Sequence, residues 1–152
     1  MKAELDTINA SIRQMDDITK GVKEWTVGLW TAAVGGALIT PRLSALVGIT
    51  VVIPLLFWFV DTWHRRIQRK FIWRNDEISR FLNGPDLVKS FVTGQLVNFT
   101  LLDPASRSAR DQQYLEFISW RKVMWFKSIS IFYVGLMSLS VIIGLFGLLG
   151  FF

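Results

Sequence analysis

The stretch LSALVGITVVIPLLFWFV (residues 43–60), followed without a break by DTWHRRIQRKFIWRNDEISRFL (61–82), decides how the chain is read. The first part carries no charged side chain. As a helix it would be about 27 Å long, enough to cross a hydrocarbon core of about 30 Å with help from its flanks. The second part opens on Asp61 and then gathers Arg65, Arg66, Arg69, Lys70, Arg74 and Arg80 among aromatic rings. A membrane span thus runs on into a basic, aromatic helix outside the membrane, and lipid is one of the solvents in which this chain folds.

Two further uncharged stretches lie to either side. Residues 25–40, WTVGLWTAAVGGALIT, would reach about 24 Å as a helix and need Trp25 as an interfacial anchor or a locally thinned bilayer. Pro41 separates this stretch from the next and suits the first turn of a new helix. Residues 128–152, SISIFYVGLMSLSVIIGLFGLLGFF, form the third. The expected fold is an all-α membrane protein with three transmembrane helices and long cytosolic helical extensions. Its parts are a cytosolic amphipathic helix (1–24), a transmembrane hairpin (25–61), a cytosolic helical region (62–127) and a third span (128–152).

Charge sets the orientation. Four Lys and Arg precede the hairpin, one lies in its turn, and twelve fall in residues 62–127. Basic residues stay on the cytoplasmic side, so the amino terminus and the middle region face the cytoplasm and the carboxyl terminus faces the periplasm of a bacterial inner membrane. The net charge of +5 is then a topological signal, and no nucleic-acid module accompanies it. The 7 Trp and 12 Phe suit membrane–water boundaries. Without Cys there is no disulfide, thiolate nucleophile or Cys-based zinc site, and this fits a reducing or inner-membrane setting. Residues 1–24 mix Lys with Asp and Glu and lack an apolar core, so no cleavable signal is expected and insertion begins from an internal span.

Outside the spans the pattern is helical. Leu5, Ile8, Ile12, Met15, Ile18 and Val22 form one stripe, which would pack on the cytosolic portion, make an oligomeric seam, or lie on the bilayer. The last fits least, because four basic and five acidic residues nearly cancel. Asp61 with Arg65 and Asp76 with Arg80 are spaced as i,i+4 ion pairs. Asn83, Gly84 and Pro85 stop the long helix, and Gly94 breaks the helical segment after them. Asp103 and Pro104 begin another helix, with no breaker before Gly135, so residues 103–152 read as one helix. Asn98-Phe99-Thr100 fits a glycosylation sequon that a cytoplasmic location leaves idle.

No catalytic constellation can be assembled, so the chain does not read as an enzyme, and no cofactor or metal is implied. His64 is alone, the carboxylates are scattered, and Gly35-Gly36 lies within a span rather than a phosphate loop. The spans hold no ionisable group of the kind coupled transporters use; Asp61 sits at the end of its span beside Arg65. What remains are faces and hinges. Gly28, Ala32 and Gly36 make a small-residue row suited to close helix contact, within the monomer or between protomers. Tyr133, Met137, Ser140, Gly144 and Gly147 share one face of the third span, which would line a passage or touch other helices. Pro54 would bend the second span, as a hinge or merely as shape. Arg65, Arg66, Arg69 and Lys70 offer a surface for anionic lipid headgroups or a cytosolic protein partner.

FWFVDTWHRRIQRKFIWRNDEI (57–78), with LLDPAS (101–106) and SWRKVMWFKSISIFYVGLM (119–137), resembles small bacterial three-span inner-membrane proteins. Those have an aromatic run, an Asp, a charged helix, an Asp-Pro turn and a Trp/Ser/Tyr-rich return to the membrane. The chain departs from their pattern at Thr62-Trp63-His64, where Ala and tyrosines are common. Some such proteins resemble membrane effectors of antiphage systems, held quiet until a sensor triggers them. The resemblance implies a homo-oligomeric inner-membrane effector or sensor that perturbs permeability. The alternative is a non-conducting scaffold that anchors a cytosolic protein.

Overall fold

A computed structural model describes residues 2–39, 43–99 and 112–149. It is all-helical, with no strand among the described residues. The elements are α1 (Lys2–Ile39), α2 (Leu43–Asn83), α3 (Pro85–Thr93), α4 (Gln112–Phe117), α5 (Trp120–Met124) and α6 (Lys127–Leu148). One stretch, Gln112–Gly147, is long and apolar enough by length and composition to cross a membrane. The turn expected around Pro41, the Asp103-Pro104 helix start and residues 150–152 lie outside the described residues.

α1 does not divide at Trp25, because nothing between the amphipathic stripe and the apolar stretch breaks a helix. α2 likewise runs through Asp61, with Pro54 inside it. Gly84 and Pro85 end α2 and start α3, and Gly94, at φ 66°, closes α3 in the left-handed conformation that glycine adopts without penalty. The single long helix expected from residue 103 onward is corrected. Breaks at Ile118-Ser119 and Trp125-Phe126 separate α4, α5 and α6, whereas Gly135 lies within α6. These breaks carry no Gly or Pro; the second is held by the edge-on contact of Trp125 with Trp58.

The chain forms two compact units, each assembled from separated segments. One comprises Met1–Asp16 with Arg66–Ser119, the other Asp17–Arg65 with Trp120–Phe152. In the first, Ile8, Ile78, Phe81 and Phe99 are buried, with Leu5, Ile12, Phe71 and Leu87 against them. The amphipathic stripe of residues 1–24 thus supplies its early members to this core. Phe81 stacks on Phe99 at 4.4 Å between ring centroids. Arg74, its side chain 4% exposed, joins three positions: its guanidinium reaches Glu4 at 2.8 Å and Glu77 at 2.9 Å and lies over Phe99. Burial pulls against the charge of Arg74, but the two carboxylates outweigh it and hold the guanidinium protonated.

In the second unit the buried centre comprises Trp58, Ile129 and Tyr133, with Phe57, Met124, Phe132 and Met137 around it. Its distribution of polarity is inverted. Thr19, Thr26, Thr50, Asp61, Thr62 and Ser140 are buried, while Leu29, Val52, Leu56, Ile131, Ile142 and Leu145 are exposed. A water-soluble domain places these classes the other way round.

Candidate functional site

The polar interior of the second unit is built in two layers. The first answers Pro54. Proline has no N–H, so the carbonyl one turn back, on Thr50, loses its helical donor. Ser140 of α6 lies beside that carbonyl, its hydroxyl 3.0 Å from the Thr50 oxygen and 2.9 Å from the Leu136 oxygen in its own helix. Trp30 of α1 donates its indole N–H to the same hydroxyl at 2.7 Å. Three helices are thus joined at one buried side chain, and Ser140 serves at once as donor and acceptor. This is how a proline is accommodated where water is scarce: a neighbouring hydroxyl takes over the freed carbonyl.

The second layer lies about 10 Å away along α6, seven residues from Ser140 to Tyr133. Asp61 of α2 and Tyr133 of α6 are both fully buried. They are neighbours, yet neither carboxylate oxygen nor the phenol oxygen makes a hydrogen bond of standard geometry. Thr26 of α1 faces Tyr133, with its own hydroxyl donated to the Val22 carbonyl at 2.7 Å. Thr62 donates to the Trp58 carbonyl at 2.7 Å. Lys23, His64 and Arg65 lie within electrostatic range of Asp61. The Lys23 ammonium sits 5.7 Å from the Phe132 ring centroid, and the His64 Nδ1–H donates to the Val60 carbonyl at 2.9 Å. The i,i+4 neighbours Asp61 and Arg65, expected to pair, share no hydrogen bond through the carboxylate.

Aromatic rings seal this end. Trp58 stacks on Tyr133 at 6.3 Å, meets Trp125 edge-on at 5.7 Å and donates its indole N–H to the Met124 carbonyl at 3.2 Å. Trp120 packs against Phe59 at 4.8 Å and Trp63 at 6.2 Å. The break between α5 and α6 is the price of this arrangement: the last carbonyl of α5 turns to an indole instead of continuing a helical ladder.

The residues singled out from the sequence fall into three groups. Tyr133, Ser140 and Gly144 are buried, Gly147 and Met137 half-buried, and the face they define looks inward within one chain. Gly28, Ala32 and Gly36 are exposed, with open space where a Cβ on either glycine would stand among the described residues. The face of α1 that is buried carries Thr26, Trp30 and Ala37.

The basic surface is also thinner than its sequence implies. Arg66 donates to the Ile118 carbonyl at 3.0 Å, and Arg69 to the Phe117 carbonyl at 2.7 Å while lying over the Phe117 ring. Both occupy the carboxyl end of α4, where cations satisfy orphan carbonyls. Arg65 is half-buried, and Lys70 alone of the four is exposed. Nor does Asp76 pair with Arg80 through its carboxylate; Arg80 Nε reaches the Asp76 carbonyl at 3.4 Å and the guanidinium lies over Trp73.

Sequence reasoning missed the burial of Asp61 and the Trp30–Ser140–Thr50 junction. The signal for the second was present, since Pro54 obliges some group to serve Thr50. Among the described residues no cluster of His, Cys, Asp and Glu could hold a metal ion. Comparison with known protein families, curated proteins and solved structures finds no match for this chain.

Proposed function

We propose that the chain is a three-span inner-membrane effector or sensor whose second unit sits in the bilayer and whose first unit receives a signal on the cytoplasmic side. The observation that carries this reading is the inverted polarity of the second unit: hydroxyls and a carboxyl inside, Leu, Ile, Val and Phe outside. Lipid is the solvent that such a surface suits, and buried polar side chains then hold helices together where apolar burial cannot. Residues 25–40, 43–60 and 128–152 would span, with the amino terminus cytoplasmic as the distribution of Lys and Arg requires.

The exposed Gly28, Ala32 and Gly36 row provides a close-approach face for a second copy, so the working form is a homo-oligomer. Activation would rearrange the spans and raise membrane permeability, and the resemblance to antiphage effectors supplies the setting. Expression in bacteria with the neighbouring genes present, followed by potential-sensitive and impermeant dyes, tests this. Loss of potential and dye entry on triggering are expected; an unaltered membrane under strong induction refutes it.

A second reading, a non-conducting anchor for a cytosolic protein, is favoured by one feature of the first unit. α3 exposes Val88, Phe91 and Val92 beside Leu82 and Leu96. Such a cluster outside lipid is the kind of patch that partners cover. Affinity capture of the solubilised protein separates the two: a stoichiometric soluble partner supports the anchor, and a lone oligomer excludes it.

A further inference from the structure

We propose that Asp61 and Tyr133 form a proton-binding site that controls the α1–α2–α6 contacts of the second unit. Asp61 is fully buried, and neither of its oxygens makes a hydrogen bond of standard geometry. The donor facing it is the phenol of Tyr133, also fully buried and projecting from the facing helix, whose own oxygen likewise makes no bond of standard geometry. A carboxyl and a phenol buried side by side without a well-aligned hydrogen bond are costly, because each has surrendered water for a poor contact. A proton on Asp61 removes the buried charge, and the neutral carboxyl and the phenol can then share an O–H···O bond in either direction.

The charged and titratable groups facing Asp61 are Lys23 from α1, His64 and Arg65 from its own helix, and Tyr133 from α6. Burial opposes the ionised form, while the neighbouring charges and the Tyr133 hydroxyl favour it. None of the cations donates a hydrogen bond to the carboxylate in this arrangement, so an ionised Asp61 would rest on charge at a distance and on one poorly aligned phenol. On deprotonation the proton leaves to water, and the carboxylate must be hydrated or drawn toward Lys23 and Arg65. Either change loosens the contact of α2 with Tyr133 and with it the stacking of Trp58, on α2, against that ring. The site rests on the membrane reading of the second unit but not on permeability, and its test uses no activity.

The full-length protein in lipid nanodiscs is titrated from pH 4 to pH 9 while tryptophan fluorescence and the infrared band of protonated carboxyl groups are followed. One fluorescence transition is expected, accompanied by loss of a carboxyl band as pH rises. Asp61→Asn should keep the low-pH spectrum throughout and lack that band. Lys23→Gln should move the midpoint upward, because the ionised form loses an attracting charge. His64→Gln should retain the transition. A transition that survives in Asp61→Asn but vanishes in His64→Gln would overturn the proposal, as would wild-type protein without a pH-dependent carboxyl band. The infrared comparison of wild type at the two pH extremes stands even if a variant fails to insert.

Discussion

Replacing Ser140 by Ala removes one oxygen and strands two groups from two other helices. The Trp30 indole loses its acceptor at 2.7 Å, and the Thr50 carbonyl loses its donor at 3.0 Å. A buried polar group left unsatisfied costs about 1–3 kcal/mol, while interhelical hydrogen bonds within membranes average about 0.6 kcal/mol with a maximum near 1.7. Two such losses place the expected cost of Ser140→Ala at about 1–3 kcal/mol, or about 5- to 150-fold in the folding equilibrium. The proline provides the internal control. Pro54→Ala restores an N–H that can reach the Thr50 carbonyl along α2, so in that background Ser140→Ala strands only the indole. The penalty should fall by about half, and the difference is the coupling energy of a double-mutant cycle. Reversible unfolding in mixed micelles, followed by tryptophan fluorescence with Trp30 as one reporter, gives all four values. Equal cost of Ser140→Ala in both backgrounds would refute the assignment of Ser140 to the carbonyl that Pro54 frees.

Three further outcomes can be measured. Gly84→Ala places a Cβ 2.7 Å from the Arg80 carbonyl oxygen, which only a backbone shift can relieve; a loss of about 1–3 kcal/mol in thermal unfolding is expected, and an unchanged midpoint would show that the junction of α2 and α3 yields freely. Arg74→Met removes the guanidinium shared by Glu4 and Glu77, whose side chains are 25% and 34% exposed. The cost should fall somewhat below the roughly 3–5 kcal/mol of breaking a fully buried pair, read as faster proteolysis within residues 2–16; protection equal to wild type counts against this tie. At Gly28 an added Cβ would stand in open space, so on Gly28→Ile unfolding should change by less than about 0.5 kcal/mol while the mass in detergent falls toward that of one chain. Retention of the larger species would remove that row from the oligomer contact.

Helical character was legible wherever one local signal sufficed. The uncharged run at 43–60 and the basic run behind it lie in one helix, the stop at Gly84-Pro85 stands where its residues put it, and the bend at Gly94 is set by a left-handed φ. What escaped depends on partners distant in sequence. Nothing around Asp61 distinguishes a carboxylate that pairs with Arg65 one turn away from one that turns to Tyr133 on another helix. Arg66 and Arg69 look like free surface charge until α4 brings its carbonyls to them, and Arg74 gives no local hint of Glu4. The breaks flanking α5 carry no helix-breaking residue, because Trp58 and its neighbouring rings compensate for the interrupted ladder across space rather than along the chain. Such contacts are specified by three-dimensional placement, and a periodicity argument does not reach them.

The interleaving of the two units has a consequence for biogenesis. Residues 2–16 leave the ribosome early, yet the side chains they meet, Arg74, Ile78 and Phe81 among them, emerge only after the whole apolar hairpin has been made. The second unit waits longer still: until α6 is synthesised, Trp30 has no Ser140, Asp61 has no Tyr133 and the carbonyl freed by Pro54 has no donor. Contacts of such long sequence separation form late. A nascent chain halted before α6 would therefore leave a carboxyl, an indole N–H and a bare carbonyl without their α6 partners together, a combination well suited to recognition by quality-control proteases.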